Sequence, residues 1–264
     1  MSQRIIINAD DYGYTAGVSE GILLAAAYGT VPSTTVMANI PEAGAAVVHA
    51  QQHVPALAFG VHLVLTFGAP LTAADKVPTL VSPTGRFFSL AEIESNPTRV
   101  DPDELLREWC AQVERLLALG VEVDHLDSHH HSSYLHPHLA EVMLRVATMY
   151  GVVVRRPPRS AHQGVLELFK TTQPTIRMPD LLVEDLFEGS SFEKLKAIVR
   201  ALPADTLCEI MVHPGVVDAE LMAGSSYATP RAAELETLLH PDLPAFLESS
   251  GVVLTTFGRA LGSA

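Results

Sequence analysis

The strongest constraint on this chain is a rhythm: short apolar or β-branched runs, each followed by a stretch with helical spacing. Arg4 to Asn8 (RIIIN) reads as a buried strand and Gly17 to Tyr28 as the helix after it. TTVMANI (34–40) is the next strand, and Pro41 starts a helix running to His53, as proline suits a first helical position. ALAFGVHLVLT (56–66) is a third strand. DPDELLREWCAQVERLLALG (101–120) is a helix with a glycine stop, VEVDHLD (121–127) a fourth strand, residues 136–151 a helix and VVVR (152–155) a fifth strand. FEKLKAIVRAL (192–202) reads as helix, LCEIMVH (207–213) as strand and VVLTTF (252–257) as the last strand. Such alternation predicts an α/β fold on a parallel sheet, open or closed into a barrel.

At 264 residues with glycine and proline spread throughout, the chain reads as a single domain, 1–264. Residues 66–100, rich in Pro, Thr and Ser, break the rhythm and look like an excursion that covers an active site. A formal net charge of −13 argues against nucleic acid and against an acidic membrane surface as partners, because both would repel it. No apolar run approaches the roughly 18 residues of a membrane span, and the N-terminus lacks the pattern of a secretory signal. With two cysteines, Cys110 and Cys208, in apolar surroundings and no CxxC spacing, the expectation is buried thiols in a reducing cytoplasm.

In parallel α/β folds the functional groups gather at the carboxyl ends of the strands. Here those ends carry Asp10 and Asp11, then His62, then His125 to His131, then Arg155 and Arg156, then His213. Two successive carboxylates after a buried strand are costly unless a cation neutralises one, although acids also cap helices. A lone His62 in an apolar strand is a core residue unless other ligands converge on it. HLDSHHHSSYLHPH (125–138) holds six of the twelve histidines, which is either a ligand source or a solvated tract binding metal adventitiously. If it is extended, His125, Asp127, His129 and His131 share one face and His130 takes the other. One Asp with two His leaves positions open for water and substrate. His213, before a Pro-Gly turn, suits a general acid or a turn-bound structural histidine, and Arg155 an orienting or a structural ion pair.

In this order, NADDYG, GVHLVLT, HLDSHHH, the VVVR strand end and VHPG resemble the YdjC-like carbohydrate deacetylases, a family that includes chitooligosaccharide deacetylases. The tail HPGVVDAELMAGSSYATPRAAELETL resembles the family's closing segment, so the match runs from about residue 4 to residue 239. The resemblance implies a deformed β/α, TIM-like barrel related in site layout to polysaccharide deacetylases. It implies one divalent ion, Mg or Zn, on Asp11, His62 and His129, with Asp10 as general base, His213 as general acid and Arg155 orienting Asp10. The implied substrate is a small N-acetylated saccharide such as a chitooligosaccharide, and homodimers occur among relatives. His125, Asp127 and His131 are then expected to support the site or touch substrate. His130, His136 and His138 are expected to be structural or solvent-facing.

The implied reaction is metal-assisted hydrolysis of an N-acetyl group with release of acetate. Two other readings compete: a metal-dependent phosphoesterase or amidohydrolase on a similar barrel, and a non-catalytic sugar- or metal-binding protein. NADDYG lacks the HxH pair that the former sites employ near the first strand.

Overall fold

Ile5, Ile6 and Ile7 are all fully buried, so the first strand has apolar cover on both faces, as a central parallel strand requires. The structure is a computed structural model and describes residues 3–172 and 175–262. Its sheet comprises β1 (Gln3–Tyr12), β2 (Ser33–Val36), β3 (Ala58–Leu63), β4 (Val123–Ser128), β5 (Val153–Val154), β6 (Leu181–Val183), β7 (Leu207–Val212) and β8 (Val252–Leu254). The hydrogen-bonded order is β5-β4-β3-β2-β1-β7-β6, all parallel, with β8 added to β1.

That order is a barrel with two departures. β7 pairs with β1 directly, from Arg4↔Leu207 to Ala9↔Val212. β8 therefore joins the other edge of β1, over Gln3 to Ile5, below the stretch that β2 occupies from Asn8 onward. Among the described residues β5 and β6 do not pair; instead Val154 N donates to Arg177 O at 3.2 Å. The expected deformed β/α barrel is thus present.

Helices cover the outside. The one at Ala16–Tyr28 starts on a Thr15 cap that accepts from Val18 N and stops at Gly29, whose φ of 90° suits a residue without Cβ. Pro102–Ala118 starts on Asp101, which accepts from Asp103 N and Glu104 N. The same helix anchors the 66–100 excursion, because Glu108 accepts from Leu71 N and Thr72 N, and Glu104 from Thr79 N. The excursion contains a short helix, Leu90–Ser95, closed by a Ser89–Glu92 capping box. Cys208 is buried and Cys110 half-buried, both as free thiols.

The barrel interior follows from the two-residue alternation of strands. Ile6, Val153, Leu207 and Phe257 form a small apolar cluster of their own, apart from the main core. His125 stacks on Phe257 with centroids 3.8 Å apart, and a Cβ on Gly60 would lie 2.4 Å from the His125 ring. Glycine is required there. Two residues further along each strand come Asn8, Asp127, Arg155 and Glu209, all fully buried and polar. An apolar floor therefore carries a polar storey, and the polar storey opens upward at the strand ends.

Several expected boundaries move. The strand expected over 34–40 ends at Val36, that over 56–66 covers 58–63, and that over 252–257 stops at Leu254, after which Phe257–Leu261 is helical. β6 and the helices at Gln163–Thr172, Ala219–Gly224, Thr229–Leu238 and Leu243–Ser249 go beyond the sequence reading. The extended geometry expected through His131 is wrong. After Ser128 the chain turns into a 3-10 helix, His129–Tyr134, with His130 at φ 56° and His131 at φ 51°. His129 and His131 consequently do not follow the strand's facing rule.

Candidate active site

Asp10 continues the inward face of β1, and Asp11 should by alternation point outward. It does not. The pairing of β1 with β2 shifts register between Ala9 and Tyr12, and Asp11 adopts φ 73°, a left-handed conformation that aspartate tolerates better than most side chains. Both carboxylates consequently face the same cavity, of about 680 Å³, at the carboxyl ends of the strands.

Asp11 is the meeting point. Its Oδ1 lies 2.9 Å from His129 Nδ1 and 3.2 Å from His62 Nε2, and its Oδ2 accepts from Arg231 Nη2 at 2.5 Å. Asp11, His62 and His129 each offer a ligand atom within 4.8 Å of the others. The far side of the His62 ring is fixed by Asp127 Oδ1, 2.7 Å from Nδ1, which leaves Nε2 for the cavity. Asp127 in turn accepts from Thr35 Oγ1 and pairs with Arg155 Nη1 at 2.8 Å.

Asp10 is clamped from below. Arg155 Nη1 and Nη2 donate to its two oxygens at 2.6 and 2.7 Å, and Arg155 Nε donates to Glu209 at 2.7 Å. Arg155 has no exposed surface. Burial alone would raise the Asp10 carboxyl, but the Arg155 guanidinium outweighs it and holds the group below the usual carboxylate range. Asp11 is lowered in the same way, burial being overcome chiefly by Arg231 and then His129. On His62 burial acts downward, yet Asp127 and Asp11 together outweigh it and lift the ring to about 10. Glu209 goes the other way, pushed up to about 7 by burial in spite of Arg155.

His213 lines the cavity with Nε2 3.8 Å from Asp10 Oδ2. Burial pushes its ring down to about 4, so it is neutral near pH 7. Its backbone N donates to Glu234 Oε2 at 2.6 Å, which fixes the strand end.

The donor set fits a divalent cation. Asp10, Asp11 and Asp127 are buried against two guanidiniums, Arg155 and Arg231, and a His62 ring whose raised pKa keeps it protonated near pH 7 when no ion is bound. A cation on Asp11, His62 and His129 would take the place of the His62 proton, with ligand types that suit Zn and, through the carboxylate, Mg. The second compact trio, Asp10, His62 and Asp127, is less open, because Arg155 and Thr35 already occupy its carboxylate oxygens.

A family model described as YdjC-like protein matches residues 4–249. The chain belongs to the YdjC-like family. Among its relatives is a carbohydrate deacetylase from Geobacillus stearothermophilus, 38% identical over 258 residues, which cover 97% of this chain and 98% of that protein. The solved structure of a putative cellobiose-phosphate cleavage protein from Enterococcus faecalis V583 matches with a TM-score of 0.90 and 31% identity, covering 98% of this chain and 99% of the other. A family 4 carbohydrate esterase from Streptomyces lividans, in complex with acetate, shares the fold at a TM-score of 0.55 and 11% identity, covering 99% of this chain and 96% of the other.

In this YdjC-like chain Asp10, Asp11, His62, His129 and His213 line one cavity, and Arg155 stands directly behind Asp10. Asp127 lies beneath the cavity, holding His62. His131 reaches the cavity wall with Nε2 3.1 Å from Glu184. His125 does not take part: it belongs to the barrel floor, beside Asp124 and Phe257. His130 is exposed, as expected, yet lines the cavity and touches the Thr66 hydroxyl. His136 and His138 pack on each other away from it. The excursion contributes Phe67 and Leu90 to the cavity wall.

Arg231, Glu209 and the Glu184–Phe187 segment escaped the sequence reading. Glu209 did leave a trace, a carboxylate inside the apolar run LCEIMVH, which is costly without a buried cation beside it. Arg231 lies 220 positions from its partner Asp11 and carries no local signature.

Proposed function

We propose that this chain is a carbohydrate deacetylase that removes the N-acetyl group from a chitooligosaccharide such as diacetylchitobiose and releases acetate. One divalent ion, Mg or Zn, would be held by Asp11, His62 and His129. The observation that carries this reading is the adjacency of that trio to an arginine-clamped Asp10 and a neutral His213 within one cavity. The family relationship to proteins named carbohydrate deacetylase supports it.

Such an ion supplies Lewis-acid chemistry, polarising the acyl carbonyl and making water a better nucleophile. Arg155 keeps Asp10 ionised and fixed, so that its carboxylate can take the proton of the attacking water. A base held this low is weak, and the proton does not stay on it. His213 Nε2, 3.8 Å away, is the next acceptor and delivers the proton to the departing sugar amine. Asp127 holds the His62 ring, and Arg231 occupies the Asp11 oxygen that His62 and His129 leave free.

Acetate release from N-acetylglucosamine mono-, di- and trimers tests this directly. Release should stop on chelation and return with one added divalent ion. Release that persists undiminished in chelator would contradict the reading.

A further inference from the structure

Phe187 is 43% exposed, an unusual state for a large apolar ring, and among the described residues it is the one well-exposed large apolar side chain lining the active-site cavity. One face of its ring rests flat on Tyr227, with centroids 4.1 Å apart and planes 7° from parallel. The exposure accordingly belongs to the opposite face. The pair is held rigidly. Tyr227 Oη lies 2.9 Å from Phe187 O and 2.5 Å from Glu234 Oε1, and Arg231 Nε donates to Tyr227 O at 2.9 Å.

The same supports reach the chemistry. Glu234 holds the His213 backbone and Arg231 holds Asp11, so the aromatic pair is locked to the groups proposed to act on the acyl amide. His213 stands edge-on to both rings, with centroids 5.5 Å from Phe187 and 5.7 Å from Tyr227. Polar groups line the same cavity: Glu184 and Asp185 lie on its own segment, His131 Nε2 is 3.1 Å from Glu184, and Arg159 joins them in the lining. An apolar plane edged by hydrogen-bonding groups matches a pyranose, which has one C–H face and a rim of hydroxyls.

We infer that Phe187, backed by Tyr227, is a stacking platform for a pyranose ring of the substrate, with Glu184 and Asp185 accepting from its hydroxyls. This rests on the deacetylase reading for the identity of the sugar, and it assigns the segment after β6 to substrate specificity. An aromatic face is needed, so leucine, which keeps bulk without a ring, does not substitute.

The test titrates fully deacetylated chitobiose, which is not turned over, into the ion-loaded wild-type protein and the variants Phe187→Ala, Phe187→Leu and Phe187→Tyr. In parallel, acetate release from diacetylchitobiose is measured for the wild type. Phe187→Ala and Phe187→Leu should each weaken binding about tenfold or more, as loss of a desolvated aromatic anchor does, while Phe187→Tyr stays within about threefold, less than one tenfold step. Binding that is unchanged in Phe187→Ala, or retained in Phe187→Leu, overturns the platform. So does a wild-type protein that binds no chitobiose. Absence of acetate release with the binding pattern intact would refute the deacetylase reading and leave the platform standing.

Discussion

His125 and His129 come from the same strand and its immediate exit, both are buried, and both lie close to an aspartate, yet they occupy different chemical worlds. His125 contacts its neighbour Asp124 and is sandwiched between Phe257 and Gly60 on the apolar floor of the barrel. His129 meets Asp11 from β1 and, beyond it, His62 from β3. The difference is convergence. At the floor the neighbouring strands deliver Ile6, Val153 and Leu207; at the rim they deliver carboxylates and a second imidazole. Histidine count along the chain carries no information about this, and the heights at which side chains leave the strands carry nearly all of it.

Breaking the rim should cost activity in steps. Asp10→Asn removes the proposed base while leaving an isosteric side chain on Arg155, and acetate release should fall about 10²–10⁴-fold. A variant within tenfold of wild type would move the base elsewhere, His213 being the alternative within reach. Asp127→Asn acts one residue removed, by loosening His62; divalent-ion affinity should drop about 10–100-fold, measured by competition with a chelating dye. An unchanged affinity would mean that His62 does not need that partner to present Nε2.

Glu209 separates electrostatics from catalysis within the polar storey. Its folded pKa of about 7 stands above the ordinary 4.5. Its contribution to stability is therefore fully present below about pH 4.5 and lost as pH rises through about 7. Glu209→Gln cannot ionise, so its melting temperature should fall less between pH 5 and pH 8 than that of the wild type. Equal falls in both proteins would assign the pH dependence to other groups. At the floor the expected change in catalysis is smallest. His125→Ala leaves a hole beside Phe257 and should lower stability by about 2–4 kcal/mol, yet the folded fraction should release acetate at close to the wild-type rate. A large loss per folded molecule would connect floor to rim and erase the contrast.

Much of this contrast is legible in the residues themselves. RIIIN and LCEIMVH are dense enough in β-branched and apolar residues to declare central strands, and the polar groups at their ends announce the rim. β5 still shows as the apolar run VVVR, but β6, three residues long, is too short to show any periodicity, and so the Glu184–Phe187 wall that follows it stayed hidden. The HHH run misled because a two-residue period was extended past Ser128, where the backbone coils into a 3-10 turn. Asp11 shows the converse. Its place beside Asp10 argues for opposite faces, and only the bulge and left-handed φ bring the two carboxylates together. Arg231 depends on a contact across 220 positions that no local pattern encodes.

The ion is proposed to sit at the rim, where His129 is the one residue of the histidine tract that joins Asp11 and His62. Metal content measured after dialysis decides it. The wild type and His125→Ala should each retain one divalent ion per chain, and His129→Ala should retain none. An ion kept in His129→Ala, or lost in His125→Ala, would contradict the account.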